Sequence, residues 1–139
     1  MNLKSFMDLY GEPNIFISGL TNSKWPELNS KLLKGQTFRN RPDIVNKVFR
    51  NKLFQLEANL RNRRHFEGHV IEYLYFTVTF SFSGLPEFHM ALKLYDIVPH
   101  NPELLLEWDG QISVQYIKSG SYLINHILQS GKKTFLKVY

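Results

Sequence analysis

The sequence predicts a single α+β domain over residues 1–139, with a mostly antiparallel sheet of about 4–6 strands. An amphipathic Arg-rich helix and shorter helices are expected to pack on one face of that sheet. Three observations support this fold class. Helical signals concentrate before Arg64, apolar residues alternate from Val70 onwards, and turn residues divide that second part into short segments. A chain of 139 residues with 43% apolar residues is sufficient for one folded domain.

The first elements are short. One or two helical turns are predicted over residues 3–10, because apolar residues there recur at spacings of three and four. A strand is expected over residues 14–18. Pro26 favours the first turn of another helix, which we expect to continue to about Lys34 and to end at Gly35.

The clearest helical pattern runs from Pro42 to about Arg61. On a helical projection its core positions fall within an arc of about 80°. These positions, which we expect to be buried, are Val45, Phe49, Leu53, Leu56 and Leu60. Lys47, Arg50 and Arg61 project to the opposite side and are expected to be exposed. Residues 54–60 also alternate and could form a strand, but only the helix explains the apolar positions before them.

A period of two predicts an antiparallel hairpin that turns at residues 83–86. Its inward face comprises Leu74, Phe76, Val78, Phe80, Phe82, Phe88, Met90, Leu92 and Leu94. Its other face is expected to be wetter and comprises Tyr73, Tyr75, Thr77, Thr79, Ser81, His89, Lys93 and Tyr95.

The last third of the chain predicts three more elements. Residues 104–108 should pair with residues 112–116 through a three-residue loop, in which Gly110 takes a positive φ. A helix is expected around residues 122–128 and a terminal strand over 134–139. A strand at a sheet edge can pair across a dimer, so both a monomer and a homodimer fit the sequence.

Composition narrows the chemistry. The chain contains no cysteine, which rules out disulfides and thiolate metal sites. No apolar stretch reaches the ~20 residues of a membrane span, and the N-terminus does not resemble a secretory signal. Gly-rich phosphate-binding loops and nucleophile-elbow motifs are absent. We therefore expect a soluble, cytoplasmic protein with no cofactor, no metal, no catalytic residue and no membrane partner.

All six arginines lie between Arg39 and Arg64, and this window carries a net charge of +6. Arg offers a planar fork of donors that suits phosphate or carboxylate groups. The predicted binding residues are Lys47, Arg50, Phe54, Arg61, Arg63 and Arg64. The alternative is a solvated helix face, since the helix dipole already favours basic residues at the C-terminal end.

Two further groups of residues could have a function. Tyr73, Tyr75, His89, Lys93 and Tyr95 could form an aromatic platform for a single-stranded nucleic acid. The structural alternative is that this face is a partly covered second layer, or that it has an ordinary strand composition, because tyrosine and threonine favour strands. His65 and His69 are four residues apart, but Gly68 argues against a helical pair, and a zinc site would need a third ligand such as Glu72, His89 or His100.

These patterns support three functional hypotheses. The leading one is a small non-enzymatic binding protein, of the inhibitor, immunity or adaptor type, whose Arg-rich helix and following loop engage an acidic protein. The second is a nucleic-acid-binding protein that uses the same helix together with the aromatic platform. The third is a small hydrolase built on His65, His69, Glu72 and His89.

Overall fold

The computed structural model describes residues 3–63, 65–66, 69–95, 108–116 and 133–138. For Leu3, Phe6, Arg61, Arg63, His65, Phe66, His69, Tyr116 and residues 133–138 it describes the backbone only. The elements are α1 (Leu3–Tyr10), β1 (Ile15–Leu20), α2 (Pro26–Asn29), a 3-10 turn (Phe38–Asn40), α3 (Pro42–Arg63), β2 (His65–Phe66), β3 (His69–Phe80), β4 (Pro86–Leu94), β5 (Ile112–Tyr116) and β6 (Lys133–Val138).

The strands form one six-stranded antiparallel sheet in the order β2-β3-β4-β1-β5. β6 pairs with β3 along residues 73–78, on the side where β2 pairs with residues 69–70. Helices α2 and α3 supply apolar side chains to the core on one sheet face. The predicted α+β class, the β3–β4 hairpin and the terminal strand are confirmed, and β6 lies within the sheet of its own chain.

The main core lies between α3 and one face of the sheet. All five residues of the predicted apolar stripe on α3 are at most 4% exposed. They pack with Leu74, Phe76, Met90 and Leu92 from the central hairpin. Ile71 also enters this core although it is three residues before Leu74, because the β3–β4 register shifts between Ile71 and Tyr73. The predicted helix and its burial are therefore confirmed.

The opposite face of the sheet is also buried along residues 73–77, which corrects the prediction that this part of the face is wetter. Tyr73, Tyr75 and Thr77 are 0%, 3% and 1% exposed. The end of α1 lies on this side: the rings of Tyr10 and Tyr73 are 6.4 Å apart, and the Tyr73 hydroxyl donates a 2.7 Å hydrogen bond to the Gly11 carbonyl. α1 therefore reaches the face opposite α3, so the helices are not all on one side.

One other prediction was wrong in detail. The second helix ends at Asn29, not near Lys34, because the next hydrogen bonds span three residues and a turn closes between Leu33 and Gln36. The predicted strand over 112–116 is confirmed as β5, which pairs with β1, while its predicted pairing with residues 104–108 remains a prediction. Gly110 has the expected positive φ of 153°. The predicted strand over 104–107 and helix over 122–128 lie outside the described residues.

Candidate functional site

At the start of α3, one arginine of the basic window is already neutralised. The Arg41 carbonyl accepts the first helical hydrogen bond from Val45, and Pro42 fits the first turn without losing a needed donor. The Arg41 guanidinium donates to both carboxylate oxygens of Asp43, at 3.0 and 2.8 Å. These hydrogen bonds are the main reason why the pKa of Asp43 falls to about 2. Arg41 therefore has a structural partner.

Lys52 is the second basic residue with a structural role. Its Nζ lies 3.0 Å from a carboxylate oxygen of Glu27 and 5.1 Å from the ring centroid of Trp25. The pKa of Glu27 lies below its ordinary value, first because of a backbone hydrogen bond and then because of Lys52. Lys52 thus joins α3 to α2. It lies at the edge of the apolar stripe and therefore does not contribute to the outer face of α3.

The outer face of α3 carries a different set of residues. Lys47 and Arg50 are exposed, as predicted, and within the described part of the chain neither forms an ion pair or a hydrogen bond. Phe54, one turn after Arg50, is 50% exposed. On an ideal helix these three residues fall within about 60° of each other, opposite the buried stripe. Two cations and an aromatic ring therefore share one open helix face.

The remaining arginines divide into two groups. Arg39 is exposed, and its guanidinium carbon lies 5.5 Å from the ring centroid of Phe38. Arg61 and Arg63 lie in the last turns of α3, where the backbone is described but the side chains are not. Arg64 lies outside the described residues. The predicted exposure of Arg61 and the predicted roles of all three therefore remain predictions.

The five residues of the predicted aromatic platform do not form an open surface. Tyr73 and Tyr75 have no accessible ring face on which a base could stack. Burial, followed by the negative charges of Glu72 and Glu12, raises the pKa of the Tyr73 hydroxyl, which is consistent with its role as a hydrogen-bond donor. His89 and Lys93 are partly buried, and Tyr95 alone is widely exposed, at 62%.

The sheet does not bring together the four residues of the hypothetical hydrolase site, which are His65, His69, Glu72 and His89. His65 and His69 lie in β2 and β3, whose two-residue pairing places His65 opposite Val70. His89 lies opposite Thr77, five residues along β3 from Glu72, which corresponds to roughly 16 Å. Among the described residues, no group of three histidine or acidic side chains is arranged to hold a metal ion.

His89 instead belongs to a small polar network. Its Nε2 lies 3.2 Å from the Thr79 hydroxyl and 3.4 Å from a carboxylate oxygen of Glu87, and the Thr79 hydroxyl donates to the same oxygen at 3.1 Å. Thr79 and Glu87 are cross-strand partners, so the register of the hairpin creates this contact. A carboxylate beside an imidazole orients the ring. The alternation had placed these residues on one face but did not reveal their contact.

The tip of the β3–β4 hairpin exposes aromatic residues that the sequence had placed inside. Phe80 is 57% exposed, and Phe82, in the turn, is fully exposed. Both continue the inward parity of β3, but the strand extends beyond the part of the sheet that its core covers. The neighbouring Ser83-Gly84-Leu85-Pro86 turn was the available signal, since residues beside a turn lie at the edge of the sheet.

The hairpin tip and the first half of α3 lie at the same end of the molecule. α3 ends where β2 leads into β3, so the two elements run in opposite directions. The ring of Phe49, early in α3, lies 5.9 Å from that of Trp108, which lies 5.0 Å from Phe88. Phe88 pairs with Val78, two residues before the end of β3. The exposed phenylalanines therefore lie at the end of the sheet that is next to the first half of α3, the half that carries Lys47 on its outer face.

Comparison with protein families gives a match over the N-terminal two thirds of the chain. The profile of a family described as "Helitron helicase-like domain at N-terminus" matches residues 1–92. The matched segment contains α1 to α3 and strands β1, β2 and β3 with most of β4. No curated protein matches the chain. Within the described residues, no helix is both long and apolar enough to cross a bilayer.

Proposed function

The chain belongs to the family of Helitron helicase-like N-terminal domains, and from that premise we propose that it is a nucleic-acid-binding domain. The outer face of α3 is the proposed contact surface, with Lys47 and Arg50 on phosphates and Phe54 beside a base. Arg61, Arg63 and Arg64 extend this surface in the proposal. The acidic partner expected from the sequence is then a nucleic acid rather than a protein.

The proposal rests on one observation: some basic residues of the window have an acidic partner among the described residues and others do not. Arg41 and Lys52 have acidic partners within the fold, whereas Lys47 and Arg50 are exposed on a face that has no acid partner in the described residues. Stabilising the helix does not require two cations here, because they lie in its middle and not at its C-terminal end. A repeating chain of phosphates would provide their missing counter-charge.

The exposed ring of Phe54 favours a nucleic acid over a simple anion. A phenylalanine that is half exposed between basic residues offers a surface for base stacking, and such rings accompany basic grooves in proteins that bind single strands. The word "helicase-like" in the family description points to the same class of ligand. The proposal concerns binding only, because the sequence lacks the Gly-x-x-x-x-Gly-Lys-Ser/Thr motif of ATP-hydrolysing domains.

The first prediction concerns the dependence of binding on salt. Affinity for a labelled oligonucleotide should fall steeply with salt concentration, because bound cations release counterions from the phosphates. Lys47→Ala and Arg50→Ala should each reduce the slope of log affinity against log salt by about 1. Fluorescence anisotropy over a salt series measures both quantities.

Lys4→Ala is the matched control. Lys4 is an exposed lysine on α1, the helix whose end contacts the other face of the sheet. Its replacement by alanine removes the same charge as Lys47→Ala or Arg50→Ala, but away from the α3 face. Its slope should equal that of the unmodified protein. If all three variants changed the slope equally, binding would depend on total charge and not on the α3 face. If the protein bound no oligonucleotide at low salt, the proposed function would be wrong.

A further inference from the structure

The tip of the β3–β4 hairpin is an exposed apolar feature that the α3 face does not explain. Phe82 is fully exposed and Phe80 is 57% exposed, and only Ser81 separates them. Single exposed apolar residues are common on protein surfaces, but two large rings at a turn provide concentrated apolar area. Neither ring contributes to the main core, so their stabilising role in this fold is small.

Hydrogen bonds fix the backbone of the turn that carries Phe82. The Ser81 amide donates to the Leu85 carbonyl and the Gly84 amide donates to the Ser81 carbonyl, both at 2.9 Å. The hydroxyls of Ser81 and Ser83 are 2.7 Å apart, and Gly84 has a φ of 82°, which other residues rarely adopt. Leu85 is packed against the core. A preorganised backbone reduces the conformational freedom that the turn loses when it binds a partner.

Two exposed lysines lie at the same end of the molecule as the hairpin tip. The Thr21 hydroxyl donates a 2.6 Å hydrogen bond to the Pro86 carbonyl at the base of the hairpin, which places the exposed Lys24 on the same side. Lys47 lies on the half of α3 that faces this end. The exposed Asp109 also lies at this end, next to Trp108, so the end carries two lysines and one acid among these residues.

We infer that Phe82 is a base-stacking element for single-stranded nucleic acid, with Phe80 beside it and the phosphates on Lys24 and Lys47. This inference rests on the proposed function and specifies its ligand. Exposed rings at an end of the molecule that also carries cations suit a single strand, in which each base has a free face. In a duplex the base faces are already stacked, and opening a step costs a few kcal/mol.

The test compares two ligands of equal charge. One is a labelled oligothymidine, and the other is an abasic deoxyribose-phosphate oligomer of the same length. Phe82→Ala should weaken oligothymidine binding about fivefold or more, the lower end of the range for base–aromatic stacking. Binding of the abasic oligomer should change by less than about twofold, because it offers phosphates but no base.

Two further variants separate stacking from general apolar contact. Phe82→Tyr keeps the ring and should retain the affinity for oligothymidine, whereas Phe82→Leu keeps apolar area without a ring and should behave like Phe82→Ala. Because Phe82 is fully exposed, all three variants should melt at the temperature of the unmodified protein. Phe82→Ala should leave the salt slope unchanged.

The outcomes distinguish this inference from the proposed function. A normal salt slope with no effect of Phe82→Ala on oligothymidine would overturn the stacking role alone. Equal weakening of both ligands would also overturn it, and so would full affinity in Phe82→Leu, because an aromatic ring would then not be needed. Failure of the unmodified protein to bind either oligomer would refute the stacking role and the proposed function together.

Discussion

At the scale of single residues, Gly19 is fixed by one neighbour that the sequence does not reveal. Gly19 lies opposite Phe88 in the β1–β4 register, and a Cβ added to it would lie only 2.6 Å from the ring Cζ. The ring cannot move aside easily, because Phe88 is fully buried and packs edge-on against Trp108 at 5.0 Å. Glycine is therefore required here by close packing, although β1 is otherwise apolar and buried.

Gly19→Ala should destabilise the protein by about 1–3 kcal/mol, the usual cost of forcing atoms into a packed core. The direction is informative, because alanine would otherwise be favoured over glycine in a strand. In a Phe88→Leu background the same change should cost at least about 1 kcal/mol less, since the ring that it meets is gone. Urea unfolding of the four proteins measures this coupling, and additive costs would show that the clash is not the cause.

At the scale of elements, the helix and the hairpin could be predicted because their patterns repeat. α3 has five core positions at helical spacing, and β3 and β4 each alternate over many residues. α2 was predicted too long, since a proline and a glycine do not determine where turns replace the helix. The burial of Tyr73 and Tyr75 could not be predicted either, because alternation identifies two faces but not whether the polar one is covered.

The start of α3 allows a prediction about pH. Asp43 has a pKa of about 2, below its ordinary 3.8, so it stabilises the fold above pH 3.8 and this contribution is lost as the pH falls towards 2. Arg41→Gln should raise the pKa of Asp43 towards 3.8, because the Arg41 hydrogen bonds are the largest cause of the depression. NMR titration of the carboxyl carbon measures this pKa.

Arg39→Gln is the appropriate control for that titration, because it removes an equal charge from a neighbouring exposed residue that forms no ion pair in the described part of the chain. It should leave the pKa of Asp43 near 2. An equal shift in both variants would mean that long-range charge, and not the two hydrogen bonds from Arg41, sets the pKa. The candidate site depends on this distinction, since it separates paired arginines from those available to a ligand.

At the scale of the whole molecule, the sheet extends beyond the segment that matches the family. β1, β3 and most of β4 lie within residues 1–92, but β5 and β6 come from later in the chain and cover the outer edges of β1 and β3. Trp108 also comes from this later part. It is 8% exposed and contacts the rings of Trp25, Phe49 and Phe88. The C-terminal third thus completes both the sheet and the core.

A fragment of residues 1–95 should therefore fail to unfold cooperatively and should self-associate. Loss of the Trp108 side chain alone is expected to cost about 3–5 kcal/mol. That is a large part of the roughly 5–15 kcal/mol that stabilises a typical domain. The fragment also leaves the β1 and β3 edges without partners, and bare strand edges promote association.

Circular dichroism melts and sedimentation velocity test both expectations, with full-length Trp108→Ala as the control, because it removes the ring but keeps both strands. The control should melt cooperatively at an intermediate temperature. A fragment that melted cooperatively within a few degrees of the full chain would show that residues 1–95 fold independently.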